Sequence, residues 1–217
     1  MTYRNVFDTS SDEYDEWFDK YRFVYLSEVE LLKSLMGMNG NTLEIGVGSG
    51  RFAEPLGIKY GVDPSRSMIE FAARRGVGVV LANGEQLPFK DRSFRAVLLM
   101  VTLCFVEDAR KVIREAGRVL SENGTIVVGV IDRESELGKS YQAKKKQSKF
   151  YEHANFFSAN EVVDLLDKND FKNIRTFQTV FNSLERVRSV EPFETGNGRG
   201  GFVAVKGEKN GGSTSFS

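Results

Sequence analysis

Three glycines at every second position follow a short apolar segment of the chain. Residues 42–50 read Thr-Leu-Glu-Ile-Gly-Val-Gly-Ser-Gly, so Glu44 lies two residues before Gly46, and Gly48 and Gly50 complete the series. Glycine tolerates a positive φ and lets a ligand approach the main chain, and free N–H groups at a following helix start favour an electron-rich group. The pattern predicts a strand and a loop that bind a nucleotide-like ligand. A loop built for tight packing alone is the alternative.

The spacing of these glycines distinguishes two kinds of nucleotide site. The dinucleotide fingerprint Gly-x-Gly-x-x-Gly, counted from Gly46, needs its third glycine where the chain has Arg51. Glu44 and the loop instead resemble motif I of the class I S-adenosylmethionine-dependent methyltransferases. The resemblance implies that the loop surrounds the methionine and ribose part of S-adenosylmethionine. An NAD-dependent oxidoreductase on a similar sheet is the alternative from another enzyme class.

A carboxylate follows the second predicted strand, where Asp63 precedes Pro64 and Ser65. Open α/β sheets bind ligands outside the carboxyl ends of their strands. The Asp63 carboxylate can accept hydrogen bonds from two neighbouring hydroxyls, which is what a ribose presents. The alternative is a helix N-cap.

Residues 83–94 contain the most family-specific segment, Asn-Gly-Glu-Gln-Leu-Pro-Phe followed by Asp-Arg-Ser-Phe. It resembles the Asp-Ala-Glu-x-Leu-Pro-Phe-x-Asp-x-Ser-Phe segment of the small-molecule, type 11-like branch of the same methyltransferases. That resemblance covers about residues 40–131 and implies that Asn83 faces the adenine amino group. The amide oxygen of Asn83 can accept a hydrogen bond from that group. Arg95 departs from the family pattern, which has Asp there. The resemblance also implies cofactor contacts from Pro64, Met68, Gly84, Glu85, Met100 and Val101.

The fold class follows from strands and helices that alternate along the chain, which predicts an α/β, Rossmann-like three-layer sandwich. The resemblance implies a seven-stranded, mostly parallel sheet in the order 3-2-1-4-5-7-6, with strand 7 antiparallel. Ser27-x-x-Glu30 resembles a capping box of a helix that ends near Gly37. Asn123-Gly124 is predicted to end a later helix, and the last two strands are predicted over 173–181 and 201–206.

Length and composition predict one domain. The chain has 217 residues, of which 41% are hydrophobic, enough for one substantial core. We expect a single methyltransferase domain over 1–209, with an N-terminal cap at about 10–37 and a lid insertion at about 132–157. Residues 210–217 are predicted to form a flexible tail.

Charge and targeting features limit the partners. Thirty basic and thirty acidic residues cancel, so nucleic acid is an unlikely partner. One cysteine excludes an internal disulfide, and no spacing of metal ligands predicts a metal site. No signal peptide is visible, and the apolar run 96–106 is shorter than a membrane helix of about 20 residues. The chain is therefore expected to be cytoplasmic, and the sequence leaves its oligomeric state open.

The methyl acceptor is predicted to lie between two segments outside the sheet. Aromatic residues of the N-terminal segment, and one of the lid, are candidates for substrate binding, and packing on the sheet is the alternative: Tyr14, Trp17, Phe18, Tyr21 and Tyr151. His153 is the one imidazole available as a general base, with a surface position as the alternative. Lys144–Lys146 are candidates for contact with a phosphate or an acidic acceptor, and a solvated helix face is the alternative. Cys104 is expected to be a buried apolar residue.

The sequence thus predicts an S-adenosylmethionine-dependent methyltransferase that acts on a small molecule by in-line transfer and yields S-adenosylhomocysteine. Since the cofactor provides both the electrophile and the leaving group, the protein chiefly aligns the acceptor and excludes water. A protein that binds S-adenosylmethionine without catalysis is a further alternative.

Overall fold

The computed structural model describes residues 3–36 and 41–211 of the chain. This part of the chain contains eight strands: β1 (Thr42–Ile45), β2 (Tyr60–Asp63), β3 (Gly78–Leu81), β4 (Phe94–Met100), β5 (Leu120–Ile131), β6 (Phe171–Thr179), β7 (Glu194–Thr195) and β8 (Phe202–Lys209). They form one sheet in the order β3-β2-β1-β4-β5-β8-β6-β7.

The sheet is parallel on one side and mixed on the other. β1 pairs in parallel with β2 and β4, β3 with β2, and β5 with β4. β8 is antiparallel to both β5 and β6. Because β8 is the predicted seventh strand, the predicted order and its antiparallel member are confirmed. The predicted number of strands is wrong, since the two-residue β7 adds an eighth strand at the edge.

Helices cover both faces of this sheet. The described residues contain eight α-helices: α1 (Tyr3–Thr9), α2 (Ser11–Lys20), α3 (Arg22–Met36), α4 (Ala53–Leu56), α5 (Arg66–Arg74), α6 (Ala109–Val119), α7 (Glu136–Ala143) and α8 (Ala159–Asp167). Val112 of α6 and Val162 of α8 belong to the core on one face. Val24 of α3 and Ala72 of α5 belong to the core on the other face. The predicted three-layer sandwich is therefore confirmed.

The predicted start of α3 is wrong. Helix α3 begins at Arg22, and the Ser27 hydroxyl donates a hydrogen bond to the Phe23 carbonyl at 2.6 Å, as a serine inside a helix does. The capping-box spacing to Glu30 arises here by chance, because the helix already continues through this point. Gly37, the predicted helix end, lies outside the described residues.

The predicted end of α6 is also wrong. The helix ends at Val119, and Asn123-Gly124 lies inside β5 rather than after a helix. Leu120 is fully buried and pairs with Phe94 of β4. Burial of Leu120 in the sheet favours a strand over a further turn of helix. Asn123, with a φ of 57°, changes the direction of the backbone within β5.

The segments outside the sheet core lie at the carboxyl ends of the parallel strands. Helices α1 and α2 come from the N-terminus, and the Ser65 hydroxyl after β2 donates a hydrogen bond to Asp8 at 2.6 Å. The segment predicted as a lid contains α7. Helix α4, which follows the glycine loop, has only four residues.

Candidate functional site

The three glycines after β1 have different surroundings. A Cβ on Gly46 (φ 71°) would lie 2.5 Å from the Thr102 side chain, and one on Gly50 (φ 83°) would lie 2.9 Å from the Ala72 Cα. A Cβ on Gly48 (φ 51°) would meet no atom within 4 Å. Close packing therefore explains the absence of a side chain at Gly46 and Gly50, whereas Gly48 faces open space.

Asp63 at the end of β2 is joined to this loop. Its Oδ2 accepts a hydrogen bond from the Gly48 N–H, and its Oδ1 accepts one from the Ser65 N–H, both at 2.9 Å. Burial raises the pKa of Asp63 to about 6, and the two backbone hydrogen bonds oppose that rise. Ser65 caps α5 by accepting a hydrogen bond from the Met68 N–H. The N-cap alternative for Asp63 is therefore wrong, and each carboxylate oxygen has a further lone pair.

The loop after β3 lies beside Asp63. A Cβ on Gly84 would lie 2.9 Å from Ile45 Cγ2, so this glycine also allows close packing. The Glu85 carboxylate accepts a hydrogen bond from the Glu107 N–H at 3.0 Å. Glu85 therefore ties the loop after β3 to the loop after β4, and Asn83 lies exposed at the start of its loop.

A narrow cleft lies at the carboxyl ends of these strands; we name it the loop cleft. Its volume is about 80 Å³. Ten of the twelve residues predicted to contact the cofactor line it: Gly46, Gly48, Asp63, Pro64, Met68, Asn83, Gly84, Glu85, Met100 and Val101. Phe7 of α1 lines it too and contacts the rings of Tyr14 and Phe105.

The loop cleft adjoins a larger cavity, which we name the aromatic cavity. It has a volume of about 470 Å³, and its aromatic lining residues are Tyr14, Trp17, Phe18, Phe52, Phe150 and Tyr151. Tyr14 and Gly48 line both spaces. Beyond it lies an outer cavity of about 570 Å³. Trp17 and Tyr151 line the aromatic and outer cavities, whereas Tyr21 lines the outer one.

Val101 at the end of β4 lines both the loop cleft and the aromatic cavity. Its φ of 51° is uncommon for a β-branched residue. The Val101 N–H donates to the Gly129 carbonyl at 2.9 Å, which holds this conformation. Such backbone strain often occurs at ligand sites.

Glu44 is a buried acidic residue in the middle of the sheet. It is 2% exposed and lines the aromatic cavity, and its Oε2 has no hydrogen-bond partner among the described residues. Burial, with a smaller contribution from the Asp63 carboxylate, raises the pKa of Glu44 well above its usual value. An unpaired buried carboxylate is costly, so this position favours a ligand with a positively charged or donor group.

Arg51 has a role that the sequence did not reveal. Its guanidinium donates hydrogen bonds to both carboxylate oxygens of Asp15 and both of Asp19 on α2, at 2.6–3.1 Å. Arg75, the residue directly after α5, also contacts Asp15, at 2.8 Å, and donates to the Ser49 carbonyl at 2.7 Å. These ion pairs fasten α2 to the glycine loop. Their partners lie far apart in sequence, so no local spacing indicates them.

Glu28 is a second buried acidic residue that the sequence analysis missed. It lies on α3, is 6% exposed and lines the aromatic cavity. Burial raises its pKa to about 8. The sequence does contain a signal for Glu28, which occupies a core position in the apolar series Val24, Glu28, Leu31, Leu35. A carboxylate at such a position is unusual and could have indicated a functional residue.

His153 lies away from these cavities. Its side chain is 59% exposed, with its Nε2 3.9 Å from the Glu152 carboxylate, and it lines neither the loop cleft nor the aromatic or outer cavity. This surface position gives no support to a general-base role. The Cys104 thiol is buried and lies 3.2 Å from the Val101 carbonyl, and burial raises its pKa. Of the lysine run, Lys144 lines the outer cavity.

The described part of the chain shows neither a cluster of metal ligands nor a membrane-spanning helix. Residues 3–36 and 41–211 contain no group of three or more His, Cys, Asp or Glu that could hold a metal ion. None of the helices in the same ranges combines the length and the apolar character needed to cross a membrane.

Comparisons with known proteins agree with this fold. A family model described as "Methyltransferase domain", of type 11, matches residues 43–128. The protein MJ1123 of Methanocaldococcus jannaschii is 51% identical over 94% of this chain and 99% of its own length. A solved structure from Thermotoga maritima, described as an S-adenosylmethionine-dependent methyltransferase and "possible histamine N-methyltransferase", is 43% identical. It has a TM-score of 0.93 and covers 96% of this chain and 100% of its own.

The chain belongs to the class I S-adenosylmethionine-dependent methyltransferases, in the type 11 branch. The methyl donor of this family is S-adenosylmethionine, and S-adenosylhomocysteine is the product. Membership excludes the NAD-dependent alternative, in agreement with the arginine at the third position of the dinucleotide fingerprint.

Proposed function

We propose that this methyltransferase transfers a methyl group from S-adenosylmethionine to a small molecule that binds in the aromatic cavity. The main support is that the loop cleft and the aromatic cavity meet at Gly48 and Val101. A donor with its adenosine part in the cleft and an acceptor in the cavity would therefore be neighbours. The balanced charge of the chain supports a small acceptor rather than a nucleic acid.

The residues of the loop cleft fit the adenosine part of the donor. Asp63 has lone pairs left to accept from two ribose hydroxyls, and Gly48 leaves room for the ligand beside the main chain. Asn83 would face the adenine. The cleft is narrower than the several hundred Å³ typical of ligand sites, so we expect Phe7 and α1 to move outward as the ligand enters.

Glu44 fits the methionine part of the donor. Its unpartnered Oε2 lines the aromatic cavity next to the glycine loop, where a carboxylate can accept a hydrogen bond from the ammonium of the amino acid. This pairing would remove the cost of an unpaired buried carboxylate.

The remaining contribution of the protein is alignment and exclusion of water. When bound, S-adenosylmethionine supplies a methyl group on a positively charged sulfur and a neutral leaving group. Tyr14, Trp17 and Phe18 form a wall from which water is excluded, and aromatic faces stabilise a nearby positive charge. Arg51 holds that wall in place through α2. His153 has no part in this scheme.

Calorimetry and a transfer assay test the proposal. We expect the protein to bind S-adenosylhomocysteine and S-adenosylmethionine, and to release S-adenosylhomocysteine when a panel of small acceptors is supplied. No binding of either compound at about 1 mM would contradict the proposal. Binding without turnover on any acceptor, nucleic acids included, would instead support a non-catalytic S-adenosylmethionine-binding protein.

A further inference from the structure

The Glu28 carboxylate lies in the aromatic cavity without a partner. The residue is 6% exposed, and it forms no hydrogen bond or ion pair with any described residue. Its neighbours on the helix stripe, Val24, Leu31 and Leu32, are at most 1% exposed. These apolar neighbours supply no positive charge, so the carboxylate favours a ligand that brings a positively charged or hydrogen-bond donor group.

The cations near the cavity are engaged elsewhere. Arg51 pairs with Asp15 and Asp19. The Lys20 ammonium is exposed and lies 5.1 Å from the centroid of the Tyr21 ring. Lys149 pairs with Glu13 at 2.6 Å. Glu16 and Glu44 also line the cavity, and neither forms an ion pair with a described residue, so the cavity favours a cationic ligand over an anionic one.

Glu28 and Glu44 line the same cavity from different elements. Glu44 lies on β1, two residues before Gly46, whereas Glu28 lies on α3. Both carboxylates raise the pKa of Tyr14, and Glu28 also raises that of Tyr141 and Tyr151. We therefore assign Glu44, beside the glycine loop, to the donor side and Glu28, beside Tyr141 and Tyr151, to the acceptor side.

We infer that the methyl acceptor is an amine, and that Glu28 binds its ammonium group within the aromatic cavity. This inference rests on the proposed methyltransferase function and adds the class of acceptor. A carboxylate surrounded by aromatic rings is suited to an ammonium, because charge pairing and ring faces both stabilise it. An alcohol offers Glu28 no positive charge with which to pair, and a carboxylate on the ligand would oppose ionisation of Glu28.

Glu28 also provides the proton acceptor that an amine needs. The amine enters as an ammonium and gives one proton to the Glu28 carboxylate, which frees the nitrogen lone pair. The nitrogen–carbon bond forms as the carbon–sulfur bond of the donor breaks, and the electron pair of the broken bond stays on sulfur. The methylated ammonium leaves with its charge, and Glu28 passes its proton to water. Since burial raises the pKa of Glu28 to about 8, the carboxyl can both accept and release a proton near neutral pH.

Titrations of the protein saturated with S-adenosylhomocysteine test this inference, because no turnover then occurs. The probes are benzylamine, 2-phenylethylamine and 4-phenylbutylamine, each with its matching alcohol, and 3-phenylpropionate. We expect at least one amine to bind about tenfold or more tightly than its alcohol, which corresponds to one charge-assisted hydrogen bond. The Glu28→Gln variant is expected to lose this preference while it keeps its affinity for S-adenosylhomocysteine. Glu30→Gln, on the exposed side of the same helix, is expected to keep both.

The outcomes separate this inference from the function on which it rests. Equal binding of amines and alcohols, or no binding of any probe at about 1 mM, would overturn it while the donor site stands. A Glu28→Gln protein that retains the amine preference would overturn it as well. If Glu28→Gln instead loses about tenfold in affinity for S-adenosylhomocysteine, the carboxylate belongs to the donor site and the inference fails. If the wild-type protein does not bind S-adenosylhomocysteine, the proposed function itself fails.

Discussion

The Arg51 guanidinium binds both oxygens of the Asp15 carboxylate, with Nε–Oδ1 and Nη2–Oδ2 distances of 3.0 and 2.6 Å. This bidentate pair joins the glycine loop to α2, which lines the aromatic cavity. The side chains of Arg51 and Asp15 are 18% and 11% exposed, so the pair is shielded from water. Burial tends to raise the pKa of Asp15, but the hydrogen bonds from Arg51 and Arg75 outweigh it and lower the pKa.

Loss of this pair should release α2. Asp15→Asn leaves two arginines without their shared carboxylate, and we expect a loss of about 2 kcal/mol in the free energy of unfolding. Limited digestion with trypsin should become faster after Lys20, at the end of α2. Asp12→Asn, on the exposed side of α2, is the control and should behave like the wild type. Equal digestion rates for Asp15→Asn and Asp12→Asn would show that the pair does not hold the helix.

Gly48 and Gly57 form a matched pair for testing the donor site. Both have a positive φ, of 51° and 65°, and at neither would a Cβ meet an atom within 4 Å. Alanine at either position should therefore cost about 1–2 kcal/mol of stability through backbone strain. Only Gly48→Ala places its methyl group in the loop cleft, so only this variant should lose about tenfold or more in affinity for S-adenosylhomocysteine by calorimetry. A similar loss in Gly57→Ala would assign the effect to strain.

The pKa of Asp63 predicts a pH dependence of donor binding. A ribose hydroxyl donates to the ionised carboxylate, whose pKa in the free protein is about 6 because of burial. Affinity should therefore fall as the pH drops through about 6, by up to tenfold per pH unit. We expect the same fall for 5′-methylthioadenosine, which lacks the amino acid that would contact Glu44. Asp63→Asn should abolish the pH step, and a wild-type affinity that is constant between about pH 5 and 8 would contradict the ribose role.

Glu28 predicts a pH dependence of stability. Its pKa in the folded state is about 8, above its usual value of 4.5. Between about pH 4.5 and pH 8 the folded state therefore keeps a proton on Glu28 that the unfolded state has released. The free energy of unfolding therefore falls as the pH rises across this range. Glu28→Gln should remove this contribution and raise the Tm at about pH 8 by about 4 °C or more. Glu30→Gln should leave the Tm unchanged, and an equal effect of Glu28→Gln at about pH 5 and pH 8 would refute the prediction.

The sheet could be predicted from the sequence because local signals determine it. Apolar strands such as 94–100 and the alternation with helices specify the parallel part, and the loops at their carboxyl ends bring Asp63 and Asn83 together. β7 could not be predicted, since two polar residues in a loop pair with β6 only once the fold exists. The same applies to Arg51, whose function depends on carboxylates more than thirty residues away.

The residues around the aromatic cavity were predicted less completely. They lie on helices, where the sequence pattern of a binding residue is the same as that of a residue that packs in the core. Tyr14, Trp17 and Phe18 were found by their type, but packing and binding give the same pattern, and in the structure their rings also contact one another. Glu28 was missed because it occupies a place in the apolar stripe of α3. His153 was chosen because it is the chain's one imidazole, and that argument says nothing about position.

Arg51 also limits how this chain could acquire another cofactor. It stands where a dinucleotide-binding protein has its third glycine, and an Arg51→Gly change would restore that fingerprint. The same change would leave Arg75 as the one arginine that binds Asp15 among the described residues, and Asp19 would lose its guanidinium partner. A single-step change toward a dinucleotide site would thus loosen α2, which lines the aromatic cavity, at the same time. Residue 51 therefore couples the spacing of the glycine loop to the anchoring of the helix beside it.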